Sequence, residues 1–379
     1  MRIILLTSID HAISLNTLKC LHHSGNSTIV IGTHLSRSIA LSSYCTKFYE
    51  LQGDMFNSDN KLLEIIYRIN LEYKCDVLLA QGLEDMCYIS NNMAHIKKII
   101  PTMLVSPADL IHQLHNKWEF YLLLSSLNMP TPRTFLLDRV PLSYDSFPLE
   151  FPVLTKPLNG KGGEGIQYFK TKKHFDEAIR DLALPLIVQE YIPGQDIDLS
   201  AFCINGSLIA WTIQEQTLGI LKFVENEEVL EICTNVLNMT NYSGVVHFDL
   251  RIDARDNSIK FLECNPRFWG SIYESAKAGV NFPERVAKVV ISGEMPSPQS
   301  FPVIAWVPFK KKELLFHPVF LIKQLHTTGP FFFDYLRFLK DNAAAELYRI
   351  IYARNKSIGE KWLNFCIKNL SDNKIEYLT

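Results

Sequence analysis

Residues 261–271 read FLECNPRFWGS, with Glu263, Asn265 and Arg267 at every second position. In an extended strand, alternate side chains leave the same face, so these three would converge on one space. Phe261 and Leu262 supply the apolar start of a buried strand. A carboxylate and an amide oxygen suit a hard cation such as Mg²⁺, which Mn²⁺ can replace. The neighbouring guanidinium suits a phosphate oxygen. The stretch reads as one wall of a site for a metal-bound nucleotide.

The remaining walls lie upstream. Residues 151–169, FPVLTKPLNGKGGEGIQYF, read as a strand, a glycine-rich loop and a second strand. Residues 187–206, IVQEYIPGQDIDLSAFCING, read as strand, turn and strand, with a turn at Pro193-Gly194. Residues 244–253, GVVHFDLRID, form another strand, and a short turn at 255–258 would fold it back on 261–265 as a hairpin. That hairpin would bring Asp249 beside Glu263, completing a metal set of Asp249, Glu263 and Asn265. Lys156 stands among apolar strand residues, where a lysine is costly unless it meets an anion. Gly160, Gly162, Gly163 and Gly165 would expose backbone N–H groups able to wrap phosphates. The loop is no P-loop, because GxxxxGK[ST] is absent and a strand follows it. Plainer readings stand beside these: a turn at the glycines, a charged sheet edge, and a structural carboxylate pair neutralised by Arg251 or Arg267.

In this order, Lys117, Lys156 with GKGGEG, QEYIPG, Asp249 and ECNPR resemble the ATP-grasp superfamily, specifically its carbamoyl-phosphate-synthetase-like carboxylate–amine ligases. The resemblance covers residues 110–287. It implies two α+β subdomains gripping ATP. Lys117 and Lys156 would contact phosphates, with Lys117 otherwise a solvated helix lysine. Gly162 and Gly163 would close over the triphosphate, and Lys161 would touch the γ-phosphate. Glu190, Tyr191 and Ile192 would line the adenine edge. Asp196, or Asp198 on the same strand face, would accept from a ribose hydroxyl. Arg267 and Lys156 would be catalytic. His247 faces the same way as Asp249, and some family members carry a catalytic cation near that place. Phe268, Trp269 and Gly270 would lie near the acceptor substrate or belong to the core.

The first hundred residues alternate strand and helix, with strands expected at 3–7, 28–31, 77–80 and 102–105 and a helix at 61–70. This is Rossmann-like, yet Ser8-Ile9-Asp10-His11 follows the first strand with no glycine before Gly25, so NAD binding is not expected. The expected fold class is α/β and α+β. A Rossmann-like pre-ATP-grasp domain (1–106) precedes an ATP-grasp domain (107–300, small subdomain about 120–190), then a partly helical C-terminal extension (301–379). Residues 107–127 read as one long helix ended by Pro130 and Pro132. A helix over 331–352 would pack on the body or on a sister subunit of a homodimer. Its alternative is to present a basic amphipathic surface to a membrane or partner, and acidic residues at 334, 341 and 346 weaken the membrane version.

The chain has 379 residues, a net charge of −2 and 47% hydrophobic residues. Nothing there has the basic footprint of a nucleic-acid binder. Eight scattered cysteines without a CxxC pair argue against zinc and disulfides and fit a reducing, cytoplasmic compartment. No apolar run is long enough for a membrane span, so no membrane is expected as a partner. The resemblance implies ATP and Mg²⁺ as cofactors and a small-molecule carboxylate and an amine as substrates. The carboxylate would take the γ-phosphoryl group, and the amine would then displace phosphate to form an amide. A non-catalytic ATP-binding regulatory or scaffolding module, and an enzyme using a thiol or bicarbonate partner, remain as alternatives.

Overall fold

The computed structural model describes residues 1–8, 11–52, 61–139, 148–160, 162–217, 220–294, 297–300, 306–308, 343–345, 347–348, 351–352, 356–368 and 374–378. It begins with strand β1 (Arg2–Thr7), helix α1 (His11–His23), β2 (Ser27–Gly32), β3 (Cys45–Leu51), α2 (Lys61–Tyr73), β4 (Val77–Ala80) and α3 (Leu83–Ile96). These strands run parallel in the order β3-β2-β1-β4. Ile3 to Leu6 and Val77 to Ala80 are fully buried, as expected of parallel strands covered on both faces. The strand expected at 102–105 does not form, and Thr102 makes a single parallel bridge to Leu78. β3 takes that place in the count. It escapes an apolar-run reading because Thr46, Lys47 and Glu50 interrupt it. Glu50 is buried against Arg37, whose Nε donates to it at 2.6 Å.

Residues 107–127 are two helices, α4 (Ala108–His115) and α5 (Lys117–Ser126). Asn116 leaves helical geometry at φ −73°, ψ 120°, and its Oδ1 accepts from the Trp118 and Glu119 N–H groups. An asparagine competes with helix hydrogen bonds and is favoured at an N-cap, which explains the break. The break makes Lys117 the first residue of α5, with its N–H bonded to the Leu158 carbonyl at 2.9 Å.

A small antiparallel sheet follows: β5 (Thr134–Leu137), β6 (Val153–Pro157), β7 (Gln167–Phe169) and β8 (Leu186–Glu190), in the order β5-β8-β6-β7. Helix α6 (Lys172–Ala178) covers one face through Phe175, which packs with Val153, Phe169 and Val188.

The larger sheet is antiparallel. It contains β9 (Gly194–Ile204), β10 (Ser207–Thr217), β11 (Ile220–Val224), β12 (Gly244–Asp253), β13 (Ile259–Asn265) and β14 (Trp306–Pro308), in the order β13-β12-β9-β10-β11-β14. Helix α7 (Glu227–Met239) interrupts the strands. On β12, Val246, Phe248 and Leu250 enter the core while His247, Asp249 and Arg251 line the cleft. Phe120 of α5 meets Phe248 and Phe261, with centroids 6.2 and 6.1 Å away. Gly194 opens β9 at φ +150°, where a Cβ would lie 1.8 Å from the Ile252 carbonyl oxygen. No other residue fits that approach.

Helices α8 (Ile272–Lys277) and α9 (Phe282–Ser292) then return to α1. Asn16 Nδ2 donates to the Gly270 carbonyl at 2.8 Å, and Asn281 Nδ2 donates to the Cys20 carbonyl at 2.8 Å. After α10 (Lys356–Lys368), strand β15 (Ile375–Leu378) pairs parallel with β3 and completes a five-stranded first sheet. Arg68 Nη2 meets Glu376 at 3.0 Å across this junction. The helix expected over 331–352 lies for the most part outside the described residues. Among the described residues, no helix is long and apolar enough to cross a membrane.

Candidate active site

The two antiparallel sheets face each other across a cleft of ≈ 1340 Å³, which Ala12 and Ile13 of α1 also line. Of the residues singled out in the sequence, Lys156, Gly162, Gly163, Glu190, Tyr191, Ile192, Asp196, Asp198, Asp249, Glu263, Asn265 and Arg267 all line it. Lys117 stands just behind, with its Nζ 3.3 Å from Glu263 Oε2. Lys161 lies outside the described residues.

The hairpin forms as expected. β12 and β13 pair in the register Asp249↔Glu263 and His247↔Asn265, which sets both carboxylates side by side. Asn265 Nδ2 donates to Asp249 Oδ2 at 2.9 Å and to Glu263 Oε1 at 3.2 Å. Its Oδ1 accepts from Arg267 Nη2 at 2.9 Å. The Asn265 amide thus turns its nitrogen toward the two carboxylates. The reason is electrostatic. Two adjacent carboxylates need positive charge between them, and here an N–H₂ group and the Lys117 ammonium supply it. A half-turn of the amide would exchange its nitrogen for its oxygen at the same position. The donor set thus fits a hard cation.

The pair is electrostatically uneven. Burial and the Asp249 charge raise the Glu263 carboxyl above its ordinary range, with Lys117 pulling against them. Burial would raise Asp249 too, but His247 and its hydrogen bonds outweigh it and hold that carboxyl low. Burial alone would lower the His247 imidazole; the Asp249 carboxylate, 3.2 Å from Nε2, reverses this. On β9, burial and then the Asp249 charge push Asp198 up to about 7.

Lys156 is 4% exposed in β6, and its Nζ donates to Gln189 Oε1 at 2.8 Å. Gln189 in turn donates to Thr134 Oγ1 at 2.9 Å. Burial lowers the Lys156 ammonium to about 8, partly opposed by Glu263. An amide neutralises nothing, so among the described residues the buried charge has no ion-pair partner, and it suits an incoming anion. Gly162 and Gly163 adopt positive φ (61° and 78°) on the loop above it, with open space where a Cβ would stand.

The residues expected at the adenine edge and the ribose have partners within the protein. The Glu190 carboxylate accepts from Arg255 Nη2 at 2.8 Å and from the Arg133 N–H at 3.2 Å. The Tyr191 N–H donates to the Pro152 carbonyl. Arg251 holds Asp196 through Nε at 2.7 Å and donates to the Ile192 carbonyl at 3.1 Å. These groups line the cleft but are already bonded within the protein, because the junction between the sheets is itself an arginine–carboxylate lattice. Sequence reasoning also missed Gln189, Gln214 and Ser271. Gln214 Nε2 donates to Ser271 Oγ at 3.0 Å and to Asp198 Oδ2 at 3.3 Å. The alternation Thr212, Gln214, Gln216 in β10 carries the signal that finds Gln214.

Comparison with known proteins places this architecture. Residues 183–308 match the family described as "ATP-grasp in the biosynthetic pathway with Ter operon". A D-aspartate ligase of Enterococcus faecium (strain Aus0004) is 26% identical over 205 residues, spanning 46% of this chain and 49% of the relative. A D-alanine–D-alanine ligase of Wolbachia pipientis subsp. Culex pipiens (strain wPip) is 24% identical over 192 residues, 44% of this chain and 60% of the relative. The chain thus spans about half to three fifths of the length of these two curated relatives. Among solved structures, N5-carboxyaminoimidazole synthetase from Staphylococcus aureus, complexed with ADP, superposes with a TM-score of 0.59 at 16% identity. That match covers 80% of this chain and 81% of the other.

Proposed function

Because this chain belongs to the ATP-grasp superfamily, we propose that it is an ATP-dependent carboxylate–amine ligase that forms an amide and releases ADP and phosphate. One observation carries the reading: the register Asp249↔Glu263 gathers two carboxylates, Asn265 and Arg267 opposite the buried ammonium of Lys156. The two curated relatives named above, both ligases by name, support it.

Asp249, Glu263 and Asn265 would hold Mg²⁺, which would supply charge neutralisation to the triphosphate. Lys156 and Lys117 bind phosphate oxygens, Lys117 by turning from Glu263 toward the nucleotide. The substrate carboxylate attacks the γ-phosphorus and the bond to ADP breaks. Arg267 meets the charge that develops on the transferring group. The amine then attacks the acyl carbon, phosphate leaves, and one proton is released to solvent. Gly162 and Gly163 let the loop settle on the phosphates and keep water from the acyl phosphate. The chain's contribution is position and charge more than covalent chemistry.

A panel of carboxylates and amines assayed for ADP release tests the proposal. ADP formed only when both substrates are present is the expected result. Release of AMP and pyrophosphate would overturn it. Tight Mg-ATP binding with no turnover by any pair would favour the binding-module reading.

A further inference from the structure

The cleft face of the large sheet carries polar side chains in rows that cross the strands. Glu263, Asp249, Asp198 and Gln214 stand opposite one another on β13, β12, β9 and β10. Two residues along, Asn265, His247 and Ser200 form the next row. Asp249 therefore has neighbours on both sides, and its two oxygens face different ways. Oδ2 accepts from Asn265 Nδ2 at 2.9 Å, on the side of Glu263. Oδ1 lies 3.2 Å from His247 Nε2, on the side of Asp198. The ion set proposed above draws on the first side alone.

On the second side, Asp198, His247 and Asp249 each present a donor atom, all within 4.8 Å of one another. We propose that these three residues form a second divalent-cation site, bridged through Asp249 to the nucleotide's ion. This site takes an ion that accepts an imidazole nitrogen, of the Mn²⁺ or Zn²⁺ class, in preference to Mg²⁺.

Three physical arguments support it. Ligands about 2.0–2.2 Å from one ion lie at most about 4.4 Å apart, so closing on an ion asks each side chain to move by only a fraction of an ångström. The imidazole is already oriented: Nδ1 pairs with Ser200 Oγ at 2.9 Å, and the ring stacks on Trp269 at 5.6 Å and 13°. This leaves Nε2 turned toward the carboxylates. A hydrogen bond on the far nitrogen and packing on the ring are what fix a ligating histidine elsewhere. Gln214 Nε2 holds Asp198 in the same manner at 3.3 Å. The donor set then decides the ion. Mg²⁺ favours all-oxygen octahedra, whereas one nitrogen and two carboxylates suit first-row transition metals. A histidine–aspartate pair alone would give Asp198 no part, although it stands directly beside Asp249 across the sheet.

The test uses Mn²⁺ as the probe on the full chain, without nucleotide or substrate. Pulsed electron paramagnetic resonance reads ¹⁴N coupling from a bound imidazole. Bound Mn²⁺ is expected to show that coupling in the wild type, to lose it in His247→Phe and to keep it in Glu263→Gln. Ser200→Ala is expected to weaken this binding about 10-fold, as loss of an orienting partner does. Where His247→Phe fails to fold, His247→Gln gives the same comparison. Bound Mn²⁺ without ¹⁴N coupling in the wild type, or coupling that survives loss of His247, would overturn the proposal. No ligase substrate enters the measurement, so its outcome is independent of whether the ligase reading holds.

Discussion

Lys156 carries a cation into the interior with an amide as its hydrogen-bond neighbour. Its ammonium sits near 8 rather than in the ordinary lysine range, because burial disfavours the charge. The protein bears that burial cost in full below pH 8, and sheds it as the pH rises from 8 toward the unfolded lysine's value near 10.4. Nucleotide binding runs the other way, since phosphate needs the charged form. ATP affinity measured calorimetrically is therefore expected to fall as the pH rises through about 8. Binding at pH 8–9 should take up a proton, seen as a heat that depends on the buffer. Proton-neutral binding across that range would remove Lys156 from the phosphates. Glu263→Gln tests the opposite wall. It keeps the size of the side chain and removes the charge, so ADP release should fall about 10²–10³-fold with little change in melting temperature. Near-normal turnover would exclude Glu263 from the ion set.

At the scale of elements, the break between α4 and α5 positions a charge. A continuous helix through Asn116 would rotate and lift Lys117 away from Glu263. Asn116→Ala should cost about 1 kcal/mol by urea denaturation through loss of the cap, and should weaken ATP binding as well. Asn116→Asp, which keeps an accepting oxygen, should restore the stability. Intact ATP affinity in the alanine variant would detach Lys117 from the nucleotide. This junction also shows what the sequence conceals. The apolar spacing of 107–127 is continuous, and only the side-chain bonds of Asn116 reveal two helices. The hairpin of β12 and β13 was legible, because strand alternation places Glu263, Asn265 and Arg267 on one face and a four-residue turn fixes their partner. The row through Asp198 and Gln214 was not, because it depends on the pairing of β9 with β12, two strands separated in sequence by β10, β11 and α7. The arginine lattice on Glu190 and Asp196 was hidden for the same reason. Arg255 reaches back 65 residues and Arg251 55.

At the scale of the whole molecule, the division we propose at residues 106 and 300 follows the order of parts along the chain. The first sheet nevertheless draws strands from both ends of it. β15 covers the edge of β3 through four register pairs, and Glu376 ties it to Arg68 and Lys47. Removing residues 374–379 should uncover β3 and lower the melting temperature by about 2–4 °C for each kcal/mol lost. An unchanged melting temperature would mean that the strand adds nothing to the sheet. The contact of α1 with α8 links this first sheet to the cleft, so the loss should also appear as weaker ATP binding.

The strand that seals β3 lies about 320 residues downstream of it. At roughly 5–20 residues per second, the ribosome needs on the order of 20–60 s to deliver it. Throughout that interval the nascent chain carries a bare parallel edge, open to pairing with other polypeptides. Yield from expression should therefore respond to chaperone supply and to slower growth temperature more than the stability of the finished protein would imply.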